Sequence, residues 1–507
     1  MRNKAFFKRF TLALSIFSCI FSLSTAANEP PNPKVKAVNL GGWLVTEGWI
    51  TPSLFDGIPN KDLLDGTQVQ FRSVRQNKYI AAENGGGTTI VANRPNPSGW
   101  ETFKLWRVSD KLFQFRVFNG QFIGLRGTDV VAISNTPDDS NTFRIVRKDD
   151  ELNRVRIKAP NGSYLQARTE ALVTADFQGR TTWGDDDPSV FVMRIVGTMQ
   201  GEFQVTNGYG PQQAATIMRQ HWASYITEND FQFISSNGLN AVRIPVGWWI
   251  ASDPSPPWPY VGGSLAALDN AFTWAERYGV KVIMDLHAAP GSQNGNDHSG
   301  SRDGSQDWGN SDQNIQQTVN VIDFLASRYA NRQGLLAVEL INEPLAPGVK
   351  LDSLIKFYGD GYNAVRRHTQ SAYVIMSNRL GPADPKELFP LASNLRRTVI
   401  DVHYYNLYTS EFNNMDVQQN IDYIYNTRAT QLGYITTSDS PLTFVGEWVA
   451  EWNLNGESDD DYRRFANAQL EVYGRASFGW AYWSIKNKNN HHWSMKWMIN
   501  HGIIKLN

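Results

Sequence analysis

The 507-residue sequence predicts an α/β chain, a closed barrel of eight parallel strands interrupted after its first strand by an all-β domain. Two contrasting textures and one internal repeat lead to it. Residues about 36–56 and 200–507 read as apolar strand-like runs alternating with long amphipathic helical patterns, and that alternation specifies a parallel sheet. Residues about 65–197 read as short strands and turns with no convincing helix, and their pattern recurs three times.

The barrel follows from the strand-like runs in chain order. They are Ala37–Leu44, Asn240–Val246, Val280–Leu286, Leu336–Ile341, Ala372–Ser377, Thr398–Val402, Leu442–Val445 and Gly479–Trp483. Helical patterns separate several of them, among them Leu265–Tyr278, Asp312–Tyr329, Leu351–His368 and Asp459–Tyr473. Eight such strands fit a (β/α)8 TIM barrel. An open doubly wound sheet is the rival, and it usually carries a G-x-G-x-x-G turn after its first strand. Here that strand runs into Gly41-Gly42-Trp43, which favours the barrel.

The repeat units read VQFRSVRQNKYIAAE with ETFKLWRV, FQFRVFNGQFIGLRG with NTFRIVR, and VRIKAPNGSYLQART with SVFVMRIV. Tyr79, Phe122 and Tyr164 recur inside the units, and Phe103, Phe143 and Phe191 close them, at intervals of roughly forty residues. Three such units of strand and turn predict a β-trefoil. The predicted organisation is a signal peptide at 1–26, the start of the barrel at 28–62, the β-trefoil insert at 65–197 and the rest of the barrel at 200–507. An insert after the first strand lies on the face of the active-site loops, where it can wall the substrate cleft.

Composition narrows the function classes. The net charge is −1, from 48 basic and 49 acidic residues, which gives no footprint for nucleic acid or a membrane surface. The chain is expected to act as a monomer. Its 17 tryptophans supply a large core and suit sugars, whose apolar faces stack on aromatic rings. Arg2, Lys4, Lys8 and Arg9, the apolar stretch Phe10–Leu23 and the small residues up to Ala26-Ala27 read as a secretory leader, too short and too broken by serines to span a membrane. The single cysteine, Cys19, lies within it, so the secreted chain is expected to carry no disulfide. Asn161-Gly162-Ser163 is a glycosylation sequon.

Strand ends on one face of such a barrel carry its chemistry. Glu47, Arg243, His287, Asn342, Glu343, His403, Tyr405, Glu447 and Trp483 fall at or near these ends. Hydrolysis of a glycosidic bond needs one carboxylic acid to protonate the leaving oxygen and one carboxylate to attack or to activate water. Glu343 and Glu447, at the ends of strands four and seven, are the candidates. Asn342 is placed to bond a sugar 2-hydroxyl, Tyr405 to orient the nucleophile, and His287 and His403 to bond sugar hydroxyls. Arg243 supplies charge that keeps one glutamate ionised. Glu339, Asp285 and Asp401 fall within strands and read as buried structural carboxylates. No cofactor or metal is implied, since no histidine pair has ligand spacing.

The runs VNLGGWLVTEGWITPSLF, GLNAVRIPVGWW, VIMDLHAAPGSQNG, ELINEPLAP, DVHYYNLY, FVGEWVAEW and GWAYWSIK span residues 38 to 486. In that order they resemble glycoside hydrolase family 5, in its exo-β-1,3-glucanase branch. The repeat is similar to fascin-like modules, and a barrel split by one resembles a plant subgroup of this family. The resemblance implies a secreted, wall-associated retaining hydrolase of β-glucans or β-glucosides, with some transglycosylation. It implies Glu343 as acid/base, Glu447 as nucleophile, and Glu47 as a contact of the −1 sugar. Arg243, His287, Asn342, His403, Tyr405 and Trp483 match its other active-site positions. One departure stands out. Where the exo-glucanases usually read Phe-Asp-Asn, this chain reads Asn296-Asp297-His298, so the aromatic clamp on the leaving sugar keeps only Tyr408. An endo-acting glucanase or mannanase on the same barrel, a sugar-binding wall protein with a vestigial barrel, and a trefoil that is the main functional part and docks the protein on wall polysaccharide are the alternative readings.

Overall fold

The structure, a computed structural model, describes residues 34–437 and 441–506. The predicted leader at 1–26, with Cys19, lies outside the described residues. Among those described, no helix is long and apolar enough to cross a membrane.

Eight parallel strands close a barrel in sequence order. They are β1 Val35–Asn39, β2 Ala241–Gly247, β3 Lys281–Ala288, β4 Leu335–Glu339, β5 Tyr373–Ser377, β6 Thr398–Asn406, β7 Leu442–Trp452 and β8 Gly479–Tyr482. The predicted runs and the observed strands coincide in number and order. Their ends differ for local reasons. β1 stops at Asn39 because Gly41 lies against the Trp483 ring and Gly42 turns the chain with φ of +69°. β6 and β7 run past their predicted ends because they stay paired, with His403 opposite Glu447, through two register shifts. The amphipathic helices Ser264–Tyr278, Asp312–Tyr329, Leu351–Arg366 and Asp459–Tyr473 coat the barrel. Each turns a buried stripe inward, such as Leu354, Phe357, Tyr358 and Val365. Such a stripe repeats at helical spacing because facing side chains lie three and four residues apart. Ser311 and Ser458 accept backbone N–H bonds at the starts of two of these helices.

Between β1 and β2, twelve strands from Gln68 to Gly197 form one antiparallel system with its own core. Six of them close a ring through successive pairings. The other six lie in three hairpin pairs. Phe103, Phe143 and Phe191, the closing residues of the repeat, are fully buried in this core, and Phe71 and Phe115 pack edge-on or tilted between them. Asn161 lies on an exposed turn, with its Nδ2 donating to the Ala175 carbonyl at 2.8 Å.

This all-β region grips the loop that follows β3. The Arg302 guanidinium stacks 3.8 Å from the Trp106 ring centroid and donates to Asp65 at 2.8 Å. Asp303 accepts from Trp106 Nε1 at 2.6 Å and from Arg116 at 2.8 Å. Asp65 and Asp303 are both buried, so these are charge pairs shielded from water rather than surface pairs worth little. The strand-to-helix segment that leaves the insert packs on the same loop. A Cβ on Gly201 would sit 2.4 Å from the Asp297 carbonyl oxygen, so only glycine fits there.

Candidate active site

Arg243, in the middle of β2, organises the carboxyl end of the barrel. It is fully buried. Its Nε and Nη2 donate to Glu339 at 2.7 and 2.9 Å, Nη1 donates to Asn39 and Glu447 at 3.0 Å each, and Nη2 also donates to Asn342 Oδ1 at 2.7 Å. Asp285 lies 3.2 Å away. Burial works against the charge, but Asp285, Glu339 and Glu447 outweigh it and push the guanidinium well above its ordinary value. A planar, always-charged fork is the group that can meet so many oxygens at once.

Glu447 on β7 accepts at both oxygens. Tyr405 donates to Oε2 at 2.7 Å, and Arg243 holds Oε1. Glu343 follows β4 in a left-handed conformation, φ +47°, that non-glycine residues seldom adopt. Its N–H donates to Ser377 Oγ at 3.3 Å, and its carbonyl accepts from Asn294 at 3.2 Å. Strain of this kind persists where surroundings fix the backbone, and it gathers at functional sites.

His403 stands between the two glutamates. Its Nδ1 is 2.6 Å from Glu343 Oε1 and 3.4 Å from Glu447 Oε2, and its Nε2 is 3.0 Å from Asp401. Asp401 in turn accepts the Gly446 N–H at 2.7 Å. A Cβ on Gly446 would fall 2.2 Å from that carboxylate, which explains the glycine in the VGEW run. Burial opposes a charged His403, but Glu447, Asp401 and Glu343 outweigh it and raise it well above its ordinary value. For Glu343 the balance is reversed. Burial raises its carboxyl, and the His403 and His298 imidazoles more than offset that, holding it well below the usual carboxylate range.

The remaining predicted residues line the same space. Asn342 is buried with its Oδ1 fixed by Arg243 and its buried Nδ2 without a hydrogen-bond partner. Glu47 lies beyond β1, where its backbone bridges Gly201, rather than on the strand end itself. Its Oε2 accepts from Trp49 at 2.9 Å, and its buried Oε1 has no partner. Burial above all raises its carboxyl to about 8, so it is largely protonated at neutral pH and can donate. His287 Nδ1 is 2.6 Å from Asp285, and burial lowers its ordinary value, leaving a neutral ring with Nε2 available. The Trp483 ring stacks on His287 at 5.4 Å and 11°. Tyr408 is 75% exposed and meets Tyr405 edge-on at 5.5 Å, while Asn296 is exposed. The structure therefore gathers every predicted barrel residue at one end of the barrel.

Sequence reasoning passed over several others. Trp493 stacks on Tyr405 at 5.8 Å and meets Trp49 edge-on at 4.8 Å. It follows a loop outside every motif, so no local pattern marks it. Asn39 lay inside the first motif and holds Arg243. His298 was singled out only as a departure, yet its Nε2 is 3.3 Å from Glu343 Oε2.

One prediction arises directly from packing. A Cβ on Gly41 would meet Trp483 Cζ2 at 2.7 Å. Gly41→Ala is expected to push that ring off His287, raise KM several-fold, and cost about 1–3 kcal/mol of stability. Steady-state kinetics with a thermal melt checks it.

Comparison with known proteins gives the family. A family profile described as cellulase (glycosyl hydrolase family 5) matches residues 206–489, and one described as a domain of unknown function (DUF7910) matches residues 60–196. A glucan 1,3-beta-glucosidase of Blumeria graminis is 33% identical over 359 residues, covering 62% of this chain and 82% of that protein. One of Pichia angusta is 31% identical over 367 residues, covering 62% and 81%. The solved structure of a rutinosidase from Aspergillus niger superposes with a TM-score of 0.52 at 21% identity, over 60% of this chain and 88% of that one, a likeness of fold. The cellulase match covers more than half of the chain, and its span holds every candidate active-site residue except Glu47. The chain belongs to glycosyl hydrolase family 5 and is a glycosyl hydrolase.

Proposed function

We propose that this enzyme removes glucosyl units from β-glucans or β-glucosides by double displacement, with Glu447 as nucleophile and Glu343 as acid/base. The observation that carries the reading is a distance. Carboxylate oxygens of Glu343 and Glu447 lie within 4.8 Å of one another, with His403 between them. Retaining enzymes hold their carboxyl groups about 5–5.5 Å apart, whereas inverting ones leave roughly 6.5–9.5 Å for a water. The glucan 1,3-beta-glucosidase relatives support a β-linked glucan as substrate.

In the first step a Glu447 oxygen bonds to the anomeric carbon, the bond to the leaving oxygen breaks, and Glu343 gives that oxygen a proton. Glu447 is the largest favourable influence on the charge of His403. Attack consumes the Glu447 charge, so the proton on His403 Nδ1 passes to the ionised Glu343 at Oε1, 2.6 Å away, and from Glu343 to the leaving oxygen. Nucleophilic attack and delivery of the acid proton are thereby coupled. In the second step Glu343 takes a proton from water, or from the hydroxyl of an acceptor sugar in transglycosylation, and that oxygen displaces Glu447. The unpartnered Asn342 Nδ2 and Glu47 Oε1 supply hydrogen bonds to hydroxyls of the −1 sugar, with the Trp483 face beneath it. Tyr408 alone, opposite an exposed Asn296, gives the leaving sugar one aromatic face, which suits small β-glucosides as well as 1,3-linked oligosaccharides.

The six-strand ring, the three hairpins and the threefold repeat support a fascin-like β-trefoil over 65–197. Its grip on the β3 loop supports a role in shaping the cleft. The leader pattern and the Asn161 sequon support secretion of a glycosylated enzyme.

Glu343→Ala tests the acid/base role. Turnover of an unactivated β-glucoside is expected to fall about 10²–10⁴-fold. A dinitrophenyl β-glucoside, whose leaving group needs no proton, should still form the glycosyl-enzyme, and azide should then yield the β-glucosyl azide. Full activity on the unactivated substrate would remove Glu343 from the mechanism.

A further inference from the structure

The acid/base glutamate has a second imidazole, and it comes from the segment where this chain departs from the family pattern. His298 sits in a one-turn helix, Asp297–Ser299, on the loop after β3. Its side chain is four-fifths buried, with 19% exposed. Its Nε2 lies 3.3 Å from Glu343 Oε2, while His403 occupies Glu343 Oε1 at 2.6 Å. Each oxygen of the proposed acid/base therefore faces its own imidazole.

Asn294 makes the geometry specific. Its Oδ1 accepts the Asn296 N–H at 3.0 Å, and its Nδ2 donates to the Glu343 carbonyl at 3.2 Å, which fixes the orientation of the amide. That same Nδ2 lies 3.1 Å from His298 Nε2. Two proton arrangements are open to the Glu343–His298 contact, and the Asn294 amide bonds Nε2 only where Nε2 carries no proton. In one, a charged His298 donates Nε2–H to the Glu343 carboxylate. In the other, a neutral His298 accepts at Nε2 through its one lone pair, from the Glu343 carboxylic O–H or from the Asn294 amide. The titratable groups facing His298 are Glu343, Glu47 beyond β1, His287 on β3 and Asp297 on its own turn. Burial alone would lower its value, but Glu343, Glu47 and Asp297 raise it to about 9, which favours the first arrangement.

The loop is built to hold this contact. Ser292 and Ser299 hydroxyls bond at 2.5 Å, and Ser299 also donates to the Asn296 carbonyl at 2.7 Å. Beyond them, Arg302 and Asp303 are locked to Asp65, Trp106 and Arg116 of the insert region. The insert thus fixes, at a distance, the imidazole that faces the acid.

We propose that His298 is a positioning residue that shares one proton with Glu343 and keeps that proton in the site at alkaline pH. The inference rests on the acid/base reading of Glu343. Two sites that hold one proton titrate together, with an apparent value belonging to the pair. The pair therefore retains its proton to higher pH than Glu343 would without His298. At neutral pH the imidazole withholds part of that proton.

His298→Gln and His298→Asn test it in the full-length enzyme, through the pH profile of kcat/KM on an alkyl β-glucoside. The basic limb is expected to move to lower pH by about one unit or more, a tenfold change in the pair's proton affinity. The neutral plateau should hold or rise, and rates at the alkaline end should converge with those of the parent. A basic limb unmoved in both variants, with native melting curves, overturns the proposal, as does a loss uniform across pH, which is the mark of a purely structural residue. Glu343→Gln separates the two levels. If it keeps full activity on the alkyl glucoside, the acid/base reading fails and this inference with it. If it loses that activity while the His298 variants keep the parental limb, only the role of His298 fails.

Discussion

Glu447→Ala is expected to lower turnover by roughly 10⁴-fold or more, the scale on which enzymes fail when a nucleophile is removed. On the proposed mechanism no glycosyl-enzyme forms without the carboxylate. His403 and Tyr405 hold the second oxygen of Glu447 and Arg243 holds the first, so the group is pointed before substrate arrives. Azide has room in the space left by the side chain. With an activated aryl β-glucoside it should restore turnover and give the α-glucosyl azide, formed by one inversion. The fold should survive, because alanine removes a charge from an acid-rich cluster and leaves Arg243 paired with Glu339 and Asp285. Analysis of product configuration checks the assignment, and unimpaired hydrolysis in this variant would dismiss it.

Arg243→Met is expected to do the most damage to the protein itself. The side chain is fully buried and sits among Glu339, Asp285 and Glu447, with Asp401 at 4.0 Å. Removing one partner of a buried charge cluster costs about 3–5 kcal/mol, because the others are left uncompensated away from water. Expression should drop, and the melting temperature of whatever folds should fall by several degrees. Arg243→Lys separates charge from shape. One ammonium cannot bond Asn39, Glu339, Asn342 and Glu447 together, so lysine is expected to recover much of the stability and little of the activity. Thermal melts and kcat measured side by side on the two variants check this. Equal recovery of both would mean that charge alone matters at this position.

Much of this was legible from residue order. Strands of β residues alternating with amphipathic helices can pack only as a layered α/β fold, and the turn Gly41-Gly42-Trp43 pointed away from a nucleotide-binding sheet. Glu343 and Glu447 could be picked out because strand ends are marked by a change in local pattern, and the strand ends on one face of a barrel line its site. Asp285, Glu339 and Asp401 were read as structural because they fall inside strands, and they prove to be buried partners of Arg243, His287 and His403. Glu47 was harder. It follows a turn, and its place in the site is set by a backbone bridge to Gly201, on the far side of the insert.

Local periodicity and motif order thus determined the barrel, the repeat and the pair of glutamates, since each depends on neighbours close in the chain. Only the tertiary structure decided which groups surround that pair. His298 meets Glu343, Trp493 meets Tyr405, and Arg302 meets Trp106 across contacts that no local pattern encodes. The physical reason is range. Secondary structure follows from steric and hydrophobic preferences within a few residues, whereas the proton affinity of a buried carboxyl follows from every charge within a few ångströms, wherever the fold has brought it from.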